Sequence, residues 1–178
     1  LIQLEGSSVH PKRQTGPHTH CTVFTPDNRY LCVVDLGLDQ IVLYPVDPEA
    51  GIDPSPHFVS RSDPGYGPRH LIFAKDGHTA FCANELISSI TTYRYDAGRL
   101  EKLATLSTLP TDYTGVSTCA AIKFSPDGRF AYVSNRGHDS IACFSIESDR
   151  ISQVSITPSG GQSPRDFDIT PDGSRLIC

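Results

Sequence analysis

The sequence predicts an all-β chain built as consecutive blades of a β-propeller, about four of them. Three observations carry this. The first is a recurring hairpin: HCTVFTPDNRYLCVVD, HLIFAKDGHTAFCAN, AIKFSPDGRFAYVSN and DFDITPDGSRLIC. Its turn acids, Asp27, Asp76, Asp127 and Asp172, are 49, 51 and 45 residues apart, a spacing typical of repeat arrays. The second is period-two alternation, as in Ile122 and Phe124 against Lys123 and Ser125, which is the period of a half-buried strand. The third is the absence of any helical periodicity. A β-sandwich would explain the turn spacing but not the repetition of whole hairpins with the same turn.

Taken in order, residues 1–16 read as the tail of a preceding blade. Units follow near 17–67, 68–116 and 117–163, with an incomplete one at 164–178. Each opens with a small or polar entry and a first strand. A turn of the Pro/Lys-Asp-Gly/Asn kind comes next, its residues tolerating positive φ. After the second strand comes a polar link and a third strand, DQIVLYPVD, SSITTYRYD or DSIACFSIE, and then a weaker fourth. The last copy stops at Cys178 in mid-strand, which would leave strand edges open. The expectation is a fragment of a longer ring. A first residue Leu1 and the absence of Met point the same way at the N-terminus.

Composition narrows the function classes. The formal net charge is −5, which gives no electrostatic reason to expect nucleic acid or an anionic membrane surface as partner. No run approaches the length of a membrane span, and no export signal is visible. The six cysteines form no C-x-x-C pair and lie mostly in apolar runs such as YLCVVD and AFCAN. They read as buried thiols, which suits a reducing compartment and a cytoplasmic location.

On a repetitive scaffold, chemistry is sought where copies depart from one another. Five segments do so: GPHTH (16–20), GPRH (67–70), CANELISS (82–89), SNRGHDS (134–140) and SPRDF (163–167). The lead-ins open onto first strands, which line the central channel of a propeller. His20, Arg69 or His70, and Arg165 are therefore expected at one mouth. Glu85 and Arg136 follow the second strands at matching places, where the first unit has Leu36. Arginines there suit a carboxylate or phosphate, or an oxyanion developing on a carbonyl. A glutamate or histidine beside them could move a proton. Structural roles stay open: Arg69 and Arg165 could pair with turn aspartates of neighbouring blades, and Glu85 could be a solvated loop acid. His18 and His20 lie on one face of a strand, but no further ligand cluster supports a metal. No G-x-S-x-G, H-E-x-x-H or phosphate-cradling glycine loop is present, and no cofactor is expected.

The segments GPHTHCTVFTPD, GPRHLIFAKDG with CANELISSI, and SPDGRFAYVSNRGHDSI resemble the seven-bladed lactonase propellers. That family includes the bacterial propeller-type 6-phosphogluconolactonase and the fungal 3-carboxy-cis,cis-muconate lactonizing enzyme. The resemblance runs from about Gly16 to the end. It implies a metal-independent site at one mouth of the channel, with catalytic roles for His20, Arg69, Glu85 and Arg136. His70 and Arg165 sit in motifs shared with the phosphogluconolactonase side and are expected to bind substrate. The implied activity is hydrolysis of 6-phosphogluconolactone in the pentose phosphate pathway. In it, Arg69 and Arg136, with Arg165, hold the phosphate and polarise the carbonyl, Glu85 activates water, and His20 passes the proton to the leaving oxygen. Two alternatives remain: cycloisomerisation of a muconate-type diacid, and a non-catalytic binding platform in which Arg69, Glu85 and Arg136 do not converge.

Overall fold

A computed structural model describes all residues, 1–178. The chain is all β and forms successive antiparallel sheets, each a meander in chain order. The first holds β1 (Thr19–Phe24), β2 (Tyr30–Asp35) and β3 (Gln40–Asp47). Strand β3 then pairs with both β4 (Gly51–Ile52) and β5 (Phe58–Arg61). The second runs β6 (Pro68–Phe73), β7 (Thr79–Asn84), β8 (Ser89–Asp96) and β9 (Arg99–Ser107). The third repeats this with β10 (Thr118–Phe124), β11 (Phe130–Arg136), β12 (Ser140–Glu147) and β13 (Arg150–Pro158), and β14 (Asp168–Ile169) pairs with β15 (Leu176–Ile177).

Alternation along the strands explains how the sheets stack. In β7, Ala80 and Cys82 face the first sheet and pack with Cys32, Val34, Ile41 and Leu43. The intervening Phe81 and Ala83 face the third sheet, against Cys119, Ile122, Val133 and Phe144. A strand buried on both faces reads as a continuous apolar run, and TAFCAN is buried throughout. A smaller cluster of Ala121, Ile141 and Phe167 joins the third sheet to the fourth.

The turn acids hold the hairpins. Asp27, Asp127 and Asp172 each accept from a preceding Thr or Ser hydroxyl and from a backbone N–H two residues on. Asp76 caps His78 and Thr79 instead. Asn28, Gly77, Gly128 and Gly173 supply the positive φ that these turns need. Asp27 also accepts from the Tyr95 hydroxyl at 3.0 Å, tying one sheet to the next.

A second repeated device lies at the opposite end. Asp39, Ser88 and Asp139 all adopt positive φ just before the third strand. Their carbonyls accept from Ser62, Thr108 and Ser159 respectively, at 2.8, 2.9 and 2.9 Å. Each turn thus clips the chain as it leaves the fourth strand for the next unit.

Residues 1–16, expected as the tail of a preceding blade, come before the first strand. They contain no strand and fold as a strap of turns over the first unit. Two polar anchors hold it: the Ser8 hydroxyl donates to Asp39 at 2.6 Å, and buried Gln14 donates to the Leu36 carbonyl at 2.8 Å. The segment SSVHPKRQTG lacks apolar alternation and carries a Pro, so it has no pattern with which to join a sheet.

Phe81 is fully buried between two sheets. Phe81→Ala is expected to lower unfolding stability by about 3–5 kcal/mol. Val154→Thr, at a position 56% exposed, should change it by less than about 0.5 kcal/mol. Urea denaturation of both variants measures the difference.

Candidate active site

The inner strands share an irregularity that aims the key side chains. In β1 the pairing jumps from Thr19↔Asp35 to Cys21↔Val34, leaving His20 unpaired. In β6 it jumps from Pro68↔Asn84 to His70↔Ala83, leaving Arg69 unpaired. In β10 a corresponding bulge falls between Cys119 and Ile122. A bulge releases a residue from the ladder and redirects its side chain. His20 and Arg69 are those residues, and Ala120 is at the third bulge.

The next side chains come from the ends of the second strands. After Asp35, Asn84 and Asn135 stand Leu36, Glu85 and Arg136. The Glu85 side chain is only 1% exposed. Its Oε2 accepts from Arg69 Nε at 2.9 Å and lies 3.0 Å from Arg136 Nη2. Its Oε1 forms an ion pair with Arg13 Nη1 of the strap at 2.6 Å.

Arg69 and Arg136 are locked from the other side as well. Arg69 Nη1 donates to the Ala120 carbonyl at 2.9 Å and lies against the ring nitrogens of His70 at 2.9 and 3.1 Å. Arg136 Nη2 donates to the Cys119 carbonyl at 3.1 Å, while its Nε is buried without a partner. His20 Nε2 stands 4.0 Å from Glu85 Oε2. Its ring stacks on His18 at 5.3 Å and meets His70 edge-on at 5.8 Å.

Arg69, Glu85, Arg136, His20 and His70 thus come together, contrary to the binding-platform expectation. Arg69 pairs with Glu85 and with no turn aspartate, and Glu85 is not a solvated loop acid. Arg165 is exposed and forms no ion pair, although its charge is felt at Arg69. Sequence reasoning missed Arg13 and gave His18 only a metal-ligand reading. PKRQ carries no motif, and the strand face shared by His18 and His20 suggested only a metal.

Electrostatics assigns protonation states. Burial works to raise the Glu85 carboxyl, but Arg136, Arg13 and Arg69 outweigh it and hold the group below its ordinary range. Burial lowers His20, with Arg69 adding to the effect and Glu85 opposing it. Burial and Arg69 push His70 down to about 4. Near neutral pH the site therefore holds a carboxylate, neutral imidazoles and three guanidiniums. Glu85 is ionised but surrounded by cations, which makes it a poor acceptor of a proton from water. That changes the role expected for it.

The whole chain, residues 1–178, matches the family described as lactonase, seven-bladed β-propeller. The chain belongs to this family. It is 38% identical over 170 residues to an uncharacterized protein of Staphylococcus saprophyticus, covering 94% of this chain and 48% of the relative. Among solved structures, a Bacteroides fragilis protein provisionally called a 6-phosphogluconolactonase superposes with a TM-score of 0.90 at 34% identity. The periplasmic gluconolactonase of Pseudomonas aeruginosa does so with a TM-score of 0.89 at 34% identity. In both cases 98% of this chain and 51% of the other are covered. The chain spans about half the length of the curated relatives it matches.

Two predictions follow from the charge balance. Glu85→Gln removes the only carboxylate in ion-pair contact with the three guanidiniums and is expected to cost about 3 kcal/mol of stability, read by chemical denaturation at pH 7. His70 has a folded pKa of about 4 against an ordinary 6.5. The unfolded chain takes up that proton first, so the contribution is complete above pH 6.5 and is lost as pH falls toward 4. The slope is at most about 1.4 kcal/mol per pH unit, and His70→Asn should flatten it. The Glu85 contribution is lost further on, below about pH 4.5.

Proposed function

We propose that the protein hydrolyses a sugar lactone, with 6-phosphogluconolactone as substrate and 6-phosphogluconate, an intermediate of the pentose phosphate pathway, as product. One observation carries this reading: a neutral imidazole, His20, beside two guanidiniums that Glu85 holds in place. Acyl transfer to water needs a base poised near neutral pH and positive charge where the carbonyl oxygen becomes an oxyanion. Family membership and the names of the two structural neighbours support the same reaction class.

In this reading His20 takes a proton from water as the oxygen attacks the lactone carbonyl carbon. Negative charge passes to the carbonyl oxygen, which Arg69 and Arg136 stabilise. Collapse of the tetrahedral intermediate breaks the ring C–O bond, and the imidazolium returns its proton to the departing oxygen. Glu85 is a positioning residue: it fixes Arg69 and Arg136 and, at 4.0 Å, stabilises the transient charge on His20. His70, held on Arg69, and the exposed Arg165 are proposed to contact the polar substituents of the ring. Six free cysteines suit a reducing compartment, and we assign the protein to the cytoplasm.

His20→Gln should lower kcat by about a hundredfold or more while leaving the unfolding midpoint nearly unchanged. In the intact enzyme, kcat/KM should fall with acid below pH 6.5, because the His20 pKa is depressed from that value. Acid release from 6-phosphogluconolactone, corrected for spontaneous opening, measures both. A His20→Gln enzyme as fast as the parent would remove histidine from the chemistry. A parallel cyclisation assay on 3-carboxymuconate tests the diacid alternative.

A further inference from the structure

The strap contributes a guanidinium to which the proposed mechanism gives no task. Arg13 is the most open of the three arginines on Glu85. Its side chain is 36% exposed, against 4% for Arg69 and 18% for Arg136. Arg69 has Nε and Nη1 engaged by protein acceptors, and Arg136 has Nη2 engaged. Arg13 has one ion-pair contact through Nη1, and its Nε and Nη2 donate to no protein group.

Its backbone, by contrast, is held firmly. His10 Nδ1 accepts from the N–H groups of Lys12 and Arg13 at 3.3 and 3.1 Å. Gln14 closes the turn through its N–H to the His10 carbonyl at 3.0 Å and its Oε1 to the His10 N–H at 2.9 Å. Buried Gln14 then fixes the turn to Leu36. A rigid backbone carrying a side chain with unspent donors is a preorganised receptor, because little freedom remains to be lost on binding. Charge agrees with this. Three guanidiniums face one carboxylate, and no second acid pairs with any of them.

We propose that Arg13 is a specificity-determining residue that receives an anionic substituent of the lactone, a phosphoryl group remote from the reacting carbonyl. This rests on the lactone-hydrolase reading above. Arg69 and Arg136 stay with Glu85 and the carbonyl oxygen, and Arg13 sorts charged from uncharged substrates.

The test compares 6-phosphogluconolactone with unphosphorylated gluconolactone on the full-length protein and its Arg13→Gln and Arg13→Lys variants. R13Q is expected to raise KM for the phosphorylated lactone by roughly tenfold more than for the other, with a smaller effect on the kcat ratio. R13K, which keeps the charge but not the planar fork, should retain part of the discrimination. Equal KM changes for both lactones would mean that Arg13 serves only Glu85, and would overturn the proposal. If the parent opens neither lactone, the hydrolase reading fails by itself. Calorimetric titration with 6-phosphogluconate and gluconate then decides Arg13 separately. A phosphate-dependent gain in affinity that R13Q loses supports the assignment. No such gain in the parent, or its survival in R13Q, overturns it.

Discussion

A single buried carboxylate organises this end of the molecule. Glu85 draws together Arg13 from the strap, Arg69 from an inner strand and Arg136 from the third sheet. Burying an ion is tolerated only when opposite charge and hydrogen bonds replace the lost water. Packing three guanidiniums side by side is equally unfavourable without an anion between them. Each side of this arrangement therefore requires the other. The first unit, with Leu36 at the matching place, has no such requirement, and there the buried Gln14 side chain meets the backbone instead. The interaction also fixes protonation: Arg69 helps keep both His20 and His70 neutral.

Much of the fold was legible because local and tertiary signals agree. The turn acids mark hairpins by chemistry, and the apolar run TAFCAN and the alternation in AIKF mark strands. The departures from the repeat, His20, Arg69, Glu85 and Arg136, were legible as well, since a polar residue replacing Leu36 requires an explanation. Arg13 was not. Its partner is distant in the chain, and no spacing rule connects a turn in a strap to a loop after a strand. The positioning role proposed for Glu85 departs from what its residue type suggests for a related reason. Residue type suggests a base, whereas basicity is set by neighbours, and three arginines make this carboxylate too stable as an anion.

Close approach of backbone segments at the same mouth is handled by a rule that a periodic pattern does not reveal. Gly37 lies against the Gly16 carbonyl, and a side chain there would collide with it. Gly137, at φ 103°, lies in the same way against the Val116 carbonyl. In the middle unit the small residue is on the other partner: Gly67 gives way and Leu86 fills the space. At least one member of each crossing pair is glycine, but not always the same one. A residue-by-residue alignment of the repeats therefore obscures a constraint that the pairs obey.

The inner-strand bulges carry a wider consequence. A residue squeezed out of a ladder has no cross-strand partner whose size or shape it must match. The three bulges hold His20, Arg69 and Ala120, which are as unlike as side chains can be, within sheets of the same register. The architecture separates what must be uniform from what can vary. An ancestral duplication could copy the hairpins faithfully and still leave each copy one interchangeable socket in its first strand. A change of chemistry at such a socket would not have to be a change of fold.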